Sequence, residues 1–289
     1  MFTLNTSADT RYFSRVLNLI GSVRDKASVP VAIRVWDIGL TRLQRRLLAL
    51  ARVEIAAVPP FSPHWRHCYT WKVYVLRHAP EPLFLHLDAG NTVRCDIKLM
   101  FDQLAERGTL LVDQGQSLAE ICPPDYFARF YPAGDPQDHV FAAGNIGFSR
   151  TYPGVGPALD EAYACALDGM CLGFSPREAF RDTAGLNIVR QCHTFRHDQS
   201  LLNMCFRKHL AALEIFPHLQ YAAVAPDETT RVFNQRRRSY RWLHRCVPVW
   251  AFPALLAYCL TIDVLEVIRT RIALRTAPRA SNAGPGAPP

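Results

Sequence analysis

The stretch "LFLHLDAGNTV", residues 83–93, combines a predicted strand with an acid at its end. Four of its first five residues are apolar, which is typical of a strand buried inside a sheet. Asp88 then follows, and the small residues Ala89 and Gly90 clear space around it. Either Asp88 starts a turn or caps the next helix, or it holds a ligand, because open α/β sheets bind ligands beyond the carboxyl ends of their strands.

Strands and helices alternate on both sides of this stretch. The predicted strands are 2–6, 29–37, 53–58, 83–87, 109–113 and 139–149, and the predicted helices are 9–25, 40–51, 68–79, 96–107 and 198–211. This alternation favours an α/β fold, in which a mostly parallel sheet carries helices on both faces.

The positive charge of the chain is concentrated in its last part. The net charge of the 289 residues is +8, and the segment from Arg231 onward, with ten arginines and two acids (10 − 2 = +8), accounts for all of it. A DNA-binding domain more often spreads basic residues over a folded face, so no nucleic-acid partner is expected. Nine scattered cysteines without a C-x-x-C pair, and no signal-peptide pattern at the start, predict a reduced, cytoplasmic protein.

Residues 231–272 form a predicted basic and apolar C-terminal segment. Six arginines in 231–245 precede an uncharged run of 17 residues, 246–262, which is shorter than the roughly 20 needed to span a bilayer. Pro248 and Pro253 interrupt the run. The segment either docks on an anionic membrane surface, on the inner face of the membrane, or forms a buried helix that closes the core. Residues 273–289 read as a disordered tail by composition.

Several short stretches together resemble the glycosyltransferases of the GT-A fold, and most of all the family-8 (glycogenin- and galactosyltransferase-like) group. They are "TLNTSADTRY" (3–12), "YTWKVYVL" (69–76), "LDAG" (87–90), "FAAGNIGFSR" (141–150) and "RHDQSLLN" (196–203). The resemblance covers most of residues 1–210, and it implies a GT-A-like transferase domain over residues 1–230. The stretch "HDQSLLN" is the most specific single signal.

The resemblance implies contacts to a nucleotide-sugar donor, for which a UDP-sugar is favoured. Thr6, Ser7 and Tyr12 match the family residues that wrap the base and ribose. Lys72 matches a family lysine that reaches the diphosphate or the donor sugar. A lysine on a solvated helix face and a Ser/Thr/Asp cluster that caps a helix are the ordinary alternatives.

Two further matches concern contacts to the sugar of the donor. Ala143 and Gly144 match the small residues that let the sugar approach the backbone, and Asp198 and Gln199 match an Asp-Gln pair that hydrogen-bonds its hydroxyls. We therefore expect Asp198 and Gln199 to act in catalysis, although an Asp at a helix start is an N-cap in most proteins.

The metal site of the family is altered in this sequence. Family members carry D-x-D, whose two carboxylates hold Mn²⁺ or Mg²⁺ against the diphosphate, a chemistry suited to hard cations. Here Asp88 is the candidate metal ligand, and Gly90 replaces the second acid. Either Asn91 or water completes the shell, or the metal binds weakly, or basic side chains do its work. The histidine-glycine-lysine stretch of many members has no match after residue 210.

The sequence therefore predicts an enzyme that moves a sugar from a nucleotide-sugar donor to a glycan or lipid-linked acceptor, as in polysaccharide biosynthesis. A degenerate, non-catalytic transferase fold that binds glycan or partners is the first alternative, since the second acid is missing. An S-adenosylmethionine-dependent methyltransferase is the second, because "LDAG" resembles an acid-glycine cofactor loop.

Overall fold

A computed structural model describes residues 2–172, 195–217, 221, 228, 230–234 and 239–276. Its centre is a seven-stranded sheet. In chain order the strands are β1 (Phe2–Asp9), β2 (Val31–Gly39), β3 (Glu54–Ala57), β4 (Leu83–Leu87), β5 (Asn91–Val93), β6 (Thr109–Ser117), β7 (His139–Ser149), β8 (Ile215–Phe216) and β9 (Val232–Asn234).

The sheet has the strand order β3-β2-β1-β4-β7-β6-β8. The pairs β1–β2, β2–β3, β1–β4 and β6–β8 are parallel, while β7 runs antiparallel to both β4 and β6. Strands β5 and β9 form a separate antiparallel pair, in which Asn91 lies opposite Asn234. The predicted mostly parallel α/β sheet is therefore confirmed.

Helices cover both faces of the sheet. They are α1 (Phe13–Lys26), α2 (Arg42–Leu50), α3 (Thr70–His78), α4 (Lys98–Arg107), α5 (Leu118–Ile121), α6 (Pro124–Phe130), α7 (Val155–Leu167), α8 (Asp198–His209) and α9 (Phe252–Thr276). Alternate residues of each strand point to opposite faces. In β4, Leu85 and Leu87 pack in the core with α1 and α4, whereas Phe84 packs in the core with α3, α7 and α8. We name these faces the α1 side and the α3 side.

Most predicted elements are confirmed within a few residues. Strands β1 and β6 run further than predicted, and helices α5, α6 and α7 were not predicted. The predicted strand ended at residue 6, but β1 continues to Asp9, which pairs with Gly39 of β2. The predicted helix from residue 9 therefore starts later, after a 3-10 turn at Thr10–Tyr12. Polar residues are uncommon in a buried strand, and this is why the pattern ended the strand too early.

From Phe252 onward the C-terminal segment forms one long helix, α9, which corrects two predictions. Pro253 does not interrupt the apolar run, because it lies in the first turn of α9, where a helix needs no N–H donor. Residues 273–276 are helical rather than part of a disordered tail, and 277–289 lie outside the described residues. On one side of α9, Leu255 and Cys259 are buried in the core with α1.

Candidate functional site

The candidate site lies where β4 ends. Asp88 follows this strand, and its N–H donates to the carbonyl of Gly144 on β7 at 2.8 Å. The N–H of Asn91 donates to the carbonyl of Asp88 at 2.9 Å and closes a turn. We name residues 88–91 the Asp88 turn. It lies at the carboxyl edge of the parallel strands, where open α/β sheets bind ligands.

Lys72 of α3 reaches this edge from the α3 side. Its Nζ lies 3.0 Å from Asp88 Oδ1 and 3.5 Å from Asp198 Oδ2, and it donates to the carbonyl of Ala143 at 3.3 Å. The Lys72 side chain is 4% exposed and that of Asp198 5%, whereas that of Asp88 is 44% exposed. Asp88, Asp198 and Ala143, which were predicted from separate stretches, therefore meet around the ammonium group of Lys72.

The charges of this cluster depend on one another. Burial by itself lowers the pKa of Lys72, but the charges of Asp88 and Asp198 outweigh it and raise that pKa, so Lys72 keeps its proton. Burial raises the pKa of Asp198, and the charge of Lys72 opposes this rise. The cluster thus holds one fixed cation between two carboxylates.

Gly144 leaves room for the carboxylate of Asp88. A Cβ added at this position would stand 2.8 Å from Asp88 Oδ2, closer than real side chains come. A small residue was predicted at this position, and in the structure the Asp88 carboxylate occupies the space that a larger side chain would need. Any side chain at this position displaces the carboxylate that binds Lys72.

Asp198 and Gln199 stand at the start of α8, which Asn203 fixes to the sheet. The Asn203 amide accepts from the N–H of Phe141 at 2.8 Å and donates to its carbonyl at 2.9 Å. The last residue of "DQSLLN" thus docks the helix on β7, one turn after the predicted sugar-binding pair. This positions Asp198 beside Lys72 with little freedom to move.

Buried polar atoms without a hydrogen bond surround the Asp88 turn. On the α3 side they are His86 Nδ1, Asp198 Oδ2 and Gln199 Nε2. Asp198 Oδ2 faces Lys72 at 3.5 Å, without the alignment of a hydrogen bond. Such atoms are rare in native proteins because each costs about 1–3 kcal/mol. Their grouping at one edge indicates a polar ligand.

Backbone strain gathers at the same place. Cys68 and Tyr69, just before α3, have φ angles of 51° and 58°, and His197, just before α8, has φ 50° and ψ −115°. Non-glycine residues in such conformations cluster at functional sites. The helices that carry Lys72 and Asp198 are therefore each preceded by residues with a strained backbone.

Two residues of the site were not predicted, His86 and Tyr69. His86 Nδ1 lies 3.9 Å from Asp88 Oδ1, and burial lowers the pKa of His86 to about 4, so the ring is neutral. The Tyr69 ring centroid lies 5.5 Å from Lys72 Nζ. The spacing i, i+2 between His86 and Asp88 on one strand face was the available signal.

The three residues predicted to wrap the base and ribose are placed differently from one another. Ser7 faces the α3 side, with its Oγ 3.5 Å from His86 Nε2. Thr6 alternates to the α1 side, where its Oγ1 is buried without a hydrogen bond. Tyr12 follows the end of β1 and is exposed. Tyr12 also neighbours Tyr69: burial, and then the charge of the Tyr12 phenol, raise the pKa of Tyr69 to about 12.

Ser7, His86 and Asp88 have the order of a hydrolase triad but not its geometry. The separations of 3.5 and 3.9 Å exceed those of a nucleophile–base–acid relay, and a ring with a pKa of about 4 is a poor base at neutral pH. Serine hydrolysis is therefore not favoured.

The residues present do not fit a D-x-D metal site. Asn91, one candidate to complete the shell, donates through its amide to Asn145 Oδ1 at 2.7 Å and to the Gly144 carbonyl at 3.2 Å. Asn145 shares its face with Leu87 on the α1 side, opposite the face of the Asp88 carboxylate. Among the described residues, no group of three His, Cys, Asp or Glu side chains is placed to hold a metal ion.

Solved structures similar to this chain are glycosyltransferases. The apo structure of the bifunctional glycosyltransferase WbbM aligns with a TM-score of 0.52 at 13% identity, over 82% of this chain and 46% of that chain. The chain thus spans about half the length of that protein. Mouse xyloside xylosyltransferase 1 aligns with a TM-score of 0.49 at 10% identity, over 81% of this chain and 97% of that chain.

A third structure is the galactosyltransferase LgtC in complex with donor and acceptor sugar analogs. It aligns with a TM-score of 0.48 at 15% identity, over 90% of this chain and 96% of that chain. No protein-family model and no curated protein sequence matches the chain. By its sheet order, its helices on both faces and its similarity to WbbM, the chain has the GT-A fold of glycosyltransferases.

Proposed function

We propose that the protein is a family-8-like glycosyltransferase that moves a sugar from a nucleotide-sugar donor to a glycan or lipid-linked acceptor. The observation that carries the proposal is the convergence of Lys72, Asp88 and Asp198 at the carboxyl edge of a GT-A sheet. Two buried polar atoms without a hydrogen bond, His86 Nδ1 and Gln199 Nε2, belong to residues next to these three, as in a site built for a polar ligand.

Each residue takes the role that its position supports. Lys72 lies at the donor diphosphate, and Asp88, its most exposed partner, meets the donor where the sugar joins the phosphate. Asp198 and Gln199 accept and donate hydrogen bonds to sugar hydroxyls. Tyr12, exposed beyond β1, offers an aromatic face to the base, for which a uridine nucleotide is favoured.

Donor turnover tests the proposal. Hydrolysis of a panel of UDP-, GDP- and CMP-sugars is measured for the wild type and for Asp88→Asn and Asp198→Asn, with and without Mn²⁺. One donor should be turned over by the wild type, and both variants should lose most of that rate. Asp102→Asn, an exposed acid paired with Lys98 on α4, is the matched control and should keep it.

The opposite results separate the alternatives. Nucleotide or glycan binding without turnover would favour the non-catalytic transferase fold. Stabilisation by S-adenosylmethionine alone would favour the methyltransferase, which the fold does not support. If no donor is turned over and no nucleotide binds, the proposal is wrong and Asp88 is a turn residue.

We also propose that α9 lies on an anionic membrane surface, on the cytoplasmic face. Among the described residues, Val249–Ile272 is the one helical stretch long and apolar enough to cross a bilayer. Asp263 fixes it to the body instead, because it accepts from the hydroxyls of Ser14 and Tyr240 at 2.7 Å each. A helix held along its length in this way supports a surface orientation rather than a span.

The outward face of α9 is apolar. Its exposed residues include Leu260, Val264 and Ile268, and the exposed Trp250 lies in the turn just before the helix. Four exposed arginines, Arg241, Arg245, Arg269 and Arg271, accompany this surface. Each basic residue near an anionic leaflet contributes on the order of 1 kcal/mol, so this surface matches anionic lipid in both charge and polarity.

Flotation with vesicles tests this second proposal. The full chain should float with phosphatidylglycerol-containing vesicles and less with pure phosphatidylcholine, and salt should weaken the binding. Trp250→Ser, Val264→Ser and Ile268→Ser combined should abolish flotation. Leu43→Ser with Leu50→Ser, two exposed leucines of α2, is the control. Equal flotation of both variants would contradict the proposal.

A further inference from the structure

A partly buried arginine stands next to the Asp88 turn on the α1 side. The N–H of Val93 donates to Ser22 Oγ at 3.0 Å, and the Asn18 amide donates to Thr92 Oγ1 at 3.0 Å. Helix α1 and strand β5 therefore run in the same direction along this contact. The next position toward the start of α1 on the same face is Arg15.

The spacing places Arg15 toward the Asp88 turn. From Ser22 back to Arg15 the helix rises about 10 Å, at about 1.5 Å a residue. Strand β5 covers only about 7 Å from Val93 back to Asn91, at about 3.3 Å a residue, and the Asp88 turn precedes it. Arg15 thus lies toward the turn in which this chain has a glycine where the D-x-D pattern has its second acid.

Arg15 carries a buried donor without a hydrogen bond. Its Nε has no partner, and its guanidinium carbon lies 5.2 Å from the centroid of the exposed Tyr12 ring. The Thr6 hydroxyl on the α1 side is also buried without a hydrogen bond, and it too can donate. Guanidinium and hydroxyl donors without partners are groups that an anionic ligand would satisfy.

Lys72 stands on the other side of the same turn. Its ammonium is surrounded by oxygens of Asp88, Asp198 and Ala143 at 3.0–3.5 Å, and so it already holds the Asp88 carboxylate that a metal ion would need. Asp198 faces this ammonium and is almost completely buried. Asp88 is therefore flanked by one cation on each side of the sheet.

We propose that Arg15 and Lys72 supply the positive charge that binds the donor diphosphate, in place of a divalent cation. The inference rests on the proposed donor site and states how that site works. A planar guanidinium presents its donors in a fork that matches phosphate oxygens. Lys72 fixes the end of the diphosphate near the sugar, and Arg15 binds the end near Tyr12 and the base. Gly90 leaves this path free of a repelling carboxylate.

Calorimetric titration of the full chain with UDP tests the inference. The dissociation constant for the wild type should agree within about threefold between EDTA and Mn²⁺. Arg15→Gln should weaken UDP binding about tenfold or more, as expected for the loss of a charged hydrogen bond. Arg15→Lys keeps the charge and should lose less. Arg46→Gln, an exposed arginine of α2, removes the same charge elsewhere and should bind like the wild type.

The outcomes that overturn the inference are distinct. If Mn²⁺ tightens UDP binding to the wild type about tenfold, a metal ion rather than Arg15 is the missing cation. If both Arg15 variants melt at the wild-type temperature and bind UDP like Arg46→Gln, Arg15 has no part in binding. If UDP binds the wild type under neither condition, the donor site for UDP itself fails, and this inference fails with it.

Discussion

The α-carbon of Gly144 lies so close to Asp88 that a methyl group at position 144 would stand 2.8 Å from the Asp88 carboxylate. Gly144→Ala is therefore expected to displace this carboxylate from Lys72 and to weaken nucleotide binding about tenfold, comparable to the loss of one charged hydrogen bond. Titration with UDP measures the change.

A second glycine provides the control for this variant. A Cβ at Gly156, near the start of α7, would meet nothing within 4 Å. Gly156→Ala should therefore leave nucleotide binding unchanged and stabilise the protein by up to about 1 kcal/mol. Equal nucleotide binding by both alanine variants would show that Asp88 is not constrained by Gly144.

Removal of Lys72 leaves Asp198 without its buried partner. Lys72→Met is expected to destabilise the protein by about 3–5 kcal/mol, the usual cost of an uncompensated buried charge. Asp198→Asn, added to Lys72→Met, should recover at least half of this loss, because it removes the charge left behind. Urea unfolding of the two single variants and the double variant measures the coupling; additive effects would contradict the ion pair.

His86 makes the stability depend on pH. The folded-state pKa of about 4 lies below the ordinary value of 6.5, so the unfolded chain binds a proton first as the pH falls. The free energy of unfolding should therefore fall between about pH 6.5 and pH 4, with about 2 kcal/mol of the loss from His86 by pH 5.

His86→Phe isolates this contribution, since phenylalanine fills a similar volume and does not titrate. The loss of stability between about pH 7.5 and pH 5 should be smaller in the variant by about 2 kcal/mol. Denaturant unfolding at the two pH values gives the difference. The same loss in both proteins would mean that His86 titrates normally.

Asn203 links the position of α8 to the sheet. Asn203→Ala leaves the buried N–H and carbonyl of Phe141 without this partner, so we expect a loss of about 2–3 kcal/mol in unfolding free energy. Donor binding should weaken as well, because Asp198 and Gln199 begin the same helix. Thr261→Ala, which removes an exposed hydroxyl from α9, should change neither quantity. Wild-type donor binding in Asn203→Ala would contradict the linkage.

Regular apolar patterns explain which elements the sequence predicted well. Strand β4 has the predicted bounds 83–87, because its apolar residues extend to both ends, and β7 has the predicted bounds 139–149, because apolar residues fill most of the strand between its polar ends. Strand β1 was predicted too short, since its second half is polar and buried at the site edge. Helix α9 runs beyond the uncharged stretch, and Asp263, the first charged residue after that stretch, accepts hydrogen bonds from two hydroxyls of the body, which no local pattern shows.

The sequence by itself determined the alternation of strands and helices and the acid at the end of β4, because these follow from local periodicity and residue type. Most residues proposed for the site followed from the family resemblance, whereas His86 and Tyr69 did not. Only the tertiary structure decided that Lys72, Asp88 and Asp198 meet around one charge, and that Thr6 and Ser7 face opposite sides of the sheet. These relationships join residues far apart in the chain, and they are set by how the helices pack across the sheet, which no short stretch of sequence encodes.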